Sequence, residues 1–191
     1  MPRPLVAWRT QLTIERRIIA DREQWLAWRR EDVTASAIGA LFGVHPYLTK
    51  MRLYAEKRGV DFGAGEDNKL MRRGRWLEPA VGAAVSELRP EWRIVPAGVY
   101  LRDPELRLGA TPDFFIYDDP RGLGVLQAKT ASPSAFKWDW AEGAEVPMWI
   151  MLQLSVEMML ADAAFGAVAV LLVDAYGMDC KIIEFPRDDA N

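Results

Sequence analysis

The chain has 191 residues, 50% of them apolar and 27% charged, which is the usual composition of a globular domain. Its net charge of −3 argues mildly against an open surface for nucleic acids, because such surfaces usually carry a basic excess. One cysteine, Cys180, and one histidine, His45, exclude a disulfide framework and metal sites built from several cysteines or histidines. No apolar run reaches the roughly 20 residues that span a bilayer, and the N-terminus lacks a signal-peptide core. We therefore expect a cytoplasmic protein without a membrane segment.

The N-terminal part, about residues 1–60, is predicted to be the helical part of one domain that spans residues 1–191. Apolar residues at helical spacing and residues that cap helices mark its elements. Three helices are predicted there: Leu12 to Arg30, a short helix from the cap Thr34 or Ser36 to Leu41, and one from the cap Thr49 to Gly59. His45, which is followed by a proline, is expected to be structural.

The rest of the chain alternates between helical and strand-like segments. Asn68 is predicted to cap the helix KLMRRGRWLEPAVGAAVSEL, in which Pro79 implies a kink or a new first turn. Six segments have the composition of strands: EWRIVPA, GVYLRD, ATPDFFIYD, GVLQAKT, GAVAVLLVD and MDCKIIEFP. MWIMLQLSVEMMLAD is predicted to be a helix, and Ser132 to Pro147 a long loop. This order of elements predicts an α/β sandwich with a mixed sheet.

The segment GATPDFFIYDDPRGLGVLQAKTA carries the residues with the clearest chemical meaning. Side chains alternate faces along a strand, so Gln127 and Lys129 are expected to point the same way. Asp113 lies at the head of the preceding strand, across a short turn, so the three groups can converge at one sheet edge. A carboxylate there suits Mg²⁺, and a lysine can hold or deprotonate a water that attacks a phosphate. The alternative is a turn-capping aspartate beside two surface residues.

Five segments extend this pattern over most of the chain. They are, in order, RREDVTASAIGALFGVHPY, MRRGRWLEPAV, GATPDFF, VLQAKT and MLQLSVEMMLAD. Together they resemble the YqaJ-type viral recombinase family, which includes lambda exonuclease and belongs to the PD-(D/E)XK nucleases. The resemblance spans roughly Trp28 to Val173. It implies a restriction-endonuclease-like fold, in which a central mixed β-sheet is flanked by helices.

The resemblance also implies catalytic roles for individual residues. Glu78 matches an acid on a helix that helps to bind metal, and Asp113 matches the aspartate that bridges metals. Lys129 matches the lysine that orients the attacking water, and the carbonyl of Ala128 is an expected further metal ligand. Gln127 occupies the position at which the family has a glutamate that binds metal.

Residues expected to contact DNA follow from the same resemblance. Ser36 matches a serine that contacts phosphate, and Gln153 matches a helix glutamine at the rim of the site. Arg29, or Arg30 if the register shifts by one, falls where the family places an arginine that grips a terminal 5′-phosphate. Guanidinium groups suit this task because they are always charged and make bidentate contacts. Arg75, in a basic cluster on the predicted long helix, is a further phosphate contact, and simple solvent exposure of these arginines is the alternative.

Gln127 is a departure from the family. An amide oxygen offers Mg²⁺ a dipole instead of a full charge, so we expect an impaired site whose metal affinity is lower by orders of magnitude. Three explanations stay open: an engineered isosteric change, a natural variant that still works, or a natural nuclease fold without catalysis. In the second, Glu78 and Asp113 hold the metals, or a migrated acid, Glu157, moves in from one helical turn beyond Gln153.

The resemblance predicts a Mg²⁺-dependent exonuclease of phage or prophage recombination, in which Mn²⁺ can substitute. It would resect linear double-stranded DNA from 5′ ends and leave 3′ tails for a single-strand annealing protein. Relatives can form rings around DNA, so a homo-oligomer, a ring trimer with a basic lumen, is compatible with the acidic chain. Relatives continue into a C-terminal helix about where this chain ends, so a short or trimmed member is expected. The alternative function is a catalytically inactive module that binds DNA ends.

Overall fold

The computed structural model describes residues 13–60, 69–141 and 145–187. The elements of these parts are, in chain order, β1 (Glu15–Ile18), α1 (Arg22–Glu31), β2 (Val33–Thr34), a 3-10 helix (Ala35–Ala40), α2 (Lys50–Lys57), α3 (Lys69–Leu88), β3 (Arg93–Pro96), β4 (Val99–Asp103), β5 (Leu108–Ala110), β6 (Phe114–Tyr117), β7 (Gly124–Ala131), α4 (Pro133–Asp139), α5 (Met148–Ala161), β8 (Phe165–Val173) and β9 (Met178–Pro186). Helices and strands therefore alternate much as the sequence predicts.

The N-terminal region differs from the predicted long helix. Residues Glu15–Ile18 form β1, which pairs antiparallel with β4, and α1 begins only at Arg22. Asp21 caps α1, because its carboxylate accepts hydrogen bonds from the backbone N–H groups two and three residues later. The prediction of one helix from Leu12 to Arg30 is therefore wrong in its first half, where pairing with a distant strand outweighs helical spacing. Leu12 itself lies outside the described residues.

The short elements after α1 follow the predictions more closely. The predicted short helix is the 3-10 helix, although the Thr34 side chain makes no capping hydrogen bond and its hydroxyl lies 3.2 Å from that of Ser36. Thr49 caps α2 by accepting a hydrogen bond from the backbone N–H three residues later. His45 has a structural contact, since its Nδ1 accepts hydrogen bonds of 3.1 and 3.0 Å from two backbone N–H groups of the loop that follows it.

The predicted long helix after Asn68 is confirmed, whereas the predicted loop from Ser132 to Pro147 is only partly a loop. α3 covers the predicted helix and runs through Pro79, whose missing N–H removes one intrahelical bond without ending the helix. Its predicted cap, Asn68, lies outside the described residues. The predicted loop from Ser132 to Pro147 contains α4, so that prediction is wrong for its first half. Ser132 caps this helix by accepting a hydrogen bond from the N–H of Ala135, and proline at the first helical position is a common start.

The described strands form two sheets instead of one. The larger has the order β3-β6-β7-β8-β9, and the smaller has the order β1-β4-β5-β2. In the larger sheet β7 and β8 are parallel and the other pairs antiparallel, so this is the predicted central mixed sheet. The predicted strand ATPDFFIYD is divided between the sheets, because Ala110 ends β5 and Phe114 begins β6. The segment between them, which contains Asp113, is released from strand pairing.

Helices cover both faces of the larger sheet. On one face Leu154 of α5 joins a buried cluster with Val125 of β7 and Val168 of β8. On the other face Val81 of α3 packs in a second cluster with Leu126. Burying each such side chain stabilises the fold by about 1.5–3 kcal/mol. Since side chains alternate along β7, the residues that follow Val125 in steps of two face α5. Among the described helices, none has both the length and the apolar character needed to cross a bilayer.

Candidate functional site

Asp113 lies in the short segment between β5 and β6, beside strand β7. Its Oδ2 accepts a hydrogen bond of 2.8 Å from the backbone N–H of Ala128 and another from Nε2 of the Gln127 side chain. Burial raises the pKa of Asp113 to about 6, while Lys129 and these two hydrogen bonds oppose the shift. The carboxylate is therefore held against β7 by a fixed backbone donor, at the sheet edge that the sequence predicts.

Gln127 and Lys129 share one face of β7, and Gln153 of α5 lies between them. Lys129 donates from Nζ to Oε1 of Gln153 at 3.1 Å, and Gln153 donates from Nε2 to Oε1 of Gln127 at 2.8 Å. Nζ of Lys129 also lies 5.2 Å from the ring centroid of Trp149. Burial lowers the pKa of Lys129, and the attraction of Asp113 and two nearby glutamates opposes this shift. A lysine in such surroundings is easier to deprotonate than one in water.

Glu78 approaches the same edge from α3, on the opposite face of the sheet. Burial raises its pKa to about 7, repulsion by Asp113 adds to the shift, and attraction by Lys129 opposes it. The helix continues past Glu78 along a surface groove of about 320 Å³ lined by Pro79 and Phe114. Glu78, Asp113 and Lys129 are thus electrostatic neighbours, although they come from three separate parts of the chain.

Glu157 lies on α5 one turn beyond Gln153 and is only 1% exposed. Its Oε1 accepts a hydrogen bond of 2.9 Å from Nε2 of Gln153, whereas its buried Oε2 has no hydrogen-bond partner within the described residues. Burial raises the pKa of Glu157 to about 8, and repulsion by Asp113 adds to the shift. Lys129 and Arg29 oppose it by attraction. Glu157 is therefore linked to the site through Gln153.

Arg29 and Ser36 are also brought together. Nη2 of Arg29 donates to Oγ of Ser36 at 3.0 Å, and the guanidinium carbon lies 4.6 Å from the ring centroid of Trp25. Trp25 in turn donates from Nε1 to Oγ1 of Thr111 at 3.0 Å. Thr111 precedes Asp113 by two residues, so these contacts tie the end of α1 to the segment that carries the aspartate.

The 3-10 helix brings the Arg29–Ser36 pair close to α5. It packs directly on that helix, and a Cβ added to Gly39 would lie only 3.0 Å from Cβ of Trp149. Glycine allows this close approach without displacing Trp149. As a result Arg29 lies close enough to Glu157 for their charges to attract. Of the two other predicted phosphate contacts, Arg30 is exposed at the end of α1, and Arg75 is exposed on α3 three residues before Glu78.

Three neighbours of the site were absent from the sequence-based predictions. Trp149 had a usable signal, because it precedes Gln153 by one helical turn and so shares its face of α5. Thr111 lies within the segment GATPDFF, but nothing in that segment predicts that Thr111 bonds Trp25. Trp25 could not be assigned, since its bond to Thr111 joins residues 86 positions apart.

The donor groups at this edge suit Mg²⁺ only in part. No three histidine, cysteine, aspartate or glutamate side chains in the described parts of the chain are grouped so that they could hold a metal. Glu78 and Asp113 nevertheless repel each other, and a cation between them would relieve that repulsion. Mg²⁺ commonly uses one or two carboxylates and completes its shell with water and phosphate, so these residues and the Ala128 carbonyl fit it. Gln127 directs its nitrogen at Asp113, and its oxygen bonds Gln153.

Comparison with known proteins identifies the family. The model of the YqaJ-like viral recombinase domain matches residues 24–164. The crystal structure of an alkaline exonuclease, LHK-Exo from Laribacter hongkongensis, has a TM-score of 0.63 and 23% identity over 87% of this chain and 83% of that chain. LHK-Exo in complex with dAMP gives the same TM-score with 21% identity over the same shares of the two chains.

A phage-related exonuclease from Haemophilus somnus 129PT gives a TM-score of 0.61 and 17% identity, covering 83% of this chain and 85% of that chain. The curated proteins contain no match to this sequence. The structural likenesses confirm the predicted restriction-endonuclease-like α/β fold. The family model covers well over half of the sequence, so the chain belongs to the YqaJ-like viral recombinase domain family.

Proposed function

We propose that this protein is a Mg²⁺-dependent exonuclease that acts on the ends of linear double-stranded DNA. The observation that carries the proposal is the convergence of Glu78, Asp113 and Lys129, whose charges influence one another at one sheet edge. Family membership supports it, as do the exonucleases that share the fold. When bound, Mg²⁺ would lower the pKa of the attacking water and neutralise charge on the phosphate, and Mn²⁺ would serve in its place.

The residues have distinct roles in this proposal. Glu78 and Asp113 hold the metal, and the carbonyl of Ala128 is a further ligand. Lys129 holds the attacking water and, in its neutral form, takes up the water's proton; its lowered pKa makes that form easier to reach. In either form its Nζ can donate to Oε1 of Gln153, at 3.1 Å, and this contact limits its motion relative to the carboxylates.

Arg29 and Ser36 are the proposed contacts to the terminal 5′-phosphate. The 3.0 Å bond between them and the packing of Arg29 on Trp25 support this, because a guanidinium held in one orientation can grip phosphate with two N–H groups. Arg30 and Arg75, both exposed, contact phosphates further along the DNA. Recognition of the 5′ end gives 5′→3′ resection and a 3′ tail, the substrate of a single-strand annealing partner. A ring trimer around the duplex would add salt-sensitive phosphate contacts.

Gln127 favours a second candidate function, a DNA-end-binding module without catalysis. Its amide nitrogen donates to Asp113, and its amide oxygen accepts from Gln153, so both ends of the carboxamide are used within the protein. A glutamate at this position would face Asp113 with like charge and would need a cation between the two. The hydrogen bonds of Gln127 are therefore complete without a metal, whereas an acid at the same position would require one.

Digestion of linear duplex DNA with 5′-phosphorylated ends tests both functions. The wild type and the Gln127→Glu variant are compared in Mg²⁺, in Mn²⁺ and in EDTA, with closed circular DNA as a second substrate. We expect metal-dependent loss of linear DNA only, and a rate about 10- to 100-fold higher for Gln127→Glu at limiting Mg²⁺, because a full charge then joins the metal site.

The other outcomes separate the two candidates. Equal rates for the two proteins would mean that another group supplies the missing charge. If neither protein cleaves but both bind 5′-phosphorylated ends in preference to 5′-hydroxyl ends, the binding module is correct. Cleavage in EDTA, or a preference for closed circles, would contradict the exonuclease.

A further inference from the structure

The site contains two glutamines whose orientation matters. A carboxamide has a donor end and an acceptor end of nearly equal size, so a half turn about its last bond exchanges them. Gln153 lies between two partners that fix it. Charged Lys129 can only donate, and it bonds Oε1 of Gln153 at 3.1 Å; Glu157 accepts from Nε2 of Gln153 at 2.9 Å. A reversed Gln153 would place its N–H groups against the ammonium and its oxygen against the carboxyl oxygen.

The orientation of Gln153 is passed on to Gln127. The second N–H of Gln153 reaches Oε1 of Gln127 at 2.8 Å, so Gln127 must show its oxygen to α5. Its nitrogen is then left to donate to Oδ2 of Asp113. A directional chain of hydrogen bonds therefore runs from Glu157 through both amides to the aspartate, although Glu157 itself lies two side chains away from Asp113 along this chain.

Glu157 is poorly explained as a device for stability. It is 1% exposed, and its Oε2 has no hydrogen-bond partner in the part of the chain that the structure describes. A buried carboxyl with an unsatisfied oxygen costs free energy, and an apolar side chain of similar size usually costs less. The hydrogen bond that Glu157 accepts from Gln153 is the contact that an apolar residue could not replace.

We infer that Glu157 is a positioning residue, whose Oε1 orients the amides of Gln153 and Gln127 so that Lys129 meets an oxygen and Asp113 meets an N–H group. The role requires only an acceptor at Oε1, which a carboxylate and a carboxylic acid protonated on Oε2 both provide. The inference rests on the proposed function only in treating Asp113 and Lys129 as the reacting groups. The hydrogen-bond chain can be tested without metal or DNA.

Nuclear magnetic resonance of the metal-free protein provides the test. The chain has only four glutamines, at positions 11, 24, 127 and 153, so ¹⁵N-glutamine labelling gives a small set of side-chain amide signals. Gln127→Met and Gln153→Met assign the two signals of the site. Solvent exchange of these amide protons is then compared in the wild type, in Glu157→Leu, which removes the acceptor, and in Glu157→Gln, which can keep an oxygen facing Gln153.

We expect Glu157→Leu to speed exchange at the Gln127 side chain about tenfold, with a similar change at Gln153, because the chain of oriented bonds is lost. Glu157→Gln should leave both rates within about twofold of the wild type, and the unfolding temperature of Glu157→Leu should be unchanged or higher. Unchanged exchange at Gln127 in Glu157→Leu would overturn the inference. So would equal loss of protection in Glu157→Gln, which would show that charge, and not an acceptor, is what matters. If Glu157→Leu fails to fold, the exchange rates in Glu157→Gln decide whether the inference holds.

Discussion

Two aspartates flank the short strand β6 and have opposite surroundings. Asp119, after the strand, accepts a bond of 2.9 Å from Nε1 of Trp92 and three bonds from Arg121, one from its backbone and two from its guanidinium. These bonds, those from the Arg121 side chain first, hold the pKa of Asp119 well below its usual range. Asp113, before the strand, accepts from Ala128 and Gln127 through Oδ2, and burial raises its pKa to about 6.

The difference separates a carboxylate whose bonds stabilise the fold from the one that we propose as a metal ligand. The charge of Asp119 is neutralised inside the protein, since Arg121 also reaches Glu184 of β9 at 2.8 Å and so ties the turn to the far edge of the sheet. In the described parts of the chain no arginine bonds Asp113, and its charge lies close to another acid, Glu78. Such a group gains most from a cation that comes from outside the chain.

The largest expected effect is at Asp113. Asp113→Asn should lower the rate of DNA cleavage by about 10³-fold, because a neutral amide replaces one of the two carboxylates proposed to hold the divalent ion. The rate is measured on linear duplex DNA, in whichever of the wild type and Gln127→Glu cleaves faster. Asp119→Asn is the matched control and should keep at least half of the rate at a temperature where it is folded. Full activity of Asp113→Asn would remove the contrast between the two aspartates.

Asp119 should contribute more to the free energy of unfolding than its neighbour Asp118. Asp119→Asn loses charge-assisted hydrogen bonds from Arg121, so its free energy of unfolding in urea should fall by about 2 kcal/mol. The neighbouring Asp118 is the control, because its pair with Arg93 is more than half exposed on both sides and should contribute less than about 0.5 kcal/mol. Equal losses for the two variants would contradict the structural role assigned to Asp119.

A smaller effect is expected when the satisfied amide beside Asp113 becomes an acid. Gln127→Glu replaces an N–H donor with an oxygen that faces the aspartate, so the metal-free variant should be less stable than the wild type by about 1–2 kcal/mol. Added Mg²⁺ should restore the stability lost in Gln127→Glu. It should therefore raise the unfolding temperature of this variant more than that of the wild type. An equal rise in both proteins would mean that position 127 does not contribute to metal binding.

The smallest effect concerns pH. Because the folded-state pKa of Asp119 lies below its ordinary value of 3.8, the unfolded chain takes up a proton first as the solution becomes acidic. The stability that Asp119 contributes is therefore present above about pH 4 and is lost as the pH falls towards the folded-state pKa. Thermal unfolding is measured between pH 7 and pH 3 for the wild type and Asp119→Asn. The difference between their free energies of unfolding should narrow by on the order of 1 kcal/mol as the pH falls, a modest change because Arg121 is partly exposed to solvent. A constant gap would contradict the lowered pKa.

Local patterns predicted much of this molecule. Helical spacing predicted α2, α3 and α5 close to their observed bounds, and Thr49 was correctly predicted to cap α2, because these signals act within one or two turns. Strand alternation placed Gln127 and Lys129 on one face of β7, and the structure joins them through Gln153. The smaller sheet escaped prediction, since β2 is only two residues long and β1 carries helical spacing but pairs with a strand far along the chain.

The amino-acid sequence by itself determined the residue types at the site and the faces on which they lie, because both follow from chemistry and from the short periods of strands and helices. Only the tertiary structure decided which charges are compensated. The sequence places both Asp113 and Asp119 beside the strand β6, but it does not show that Trp92, 27 residues away, donates to Asp119. Arg121 is close to Asp119 along the chain, whereas the amide and the acid near Asp113 come from Gln127 and Glu78 in other segments, and local periodicity does not encode those contacts.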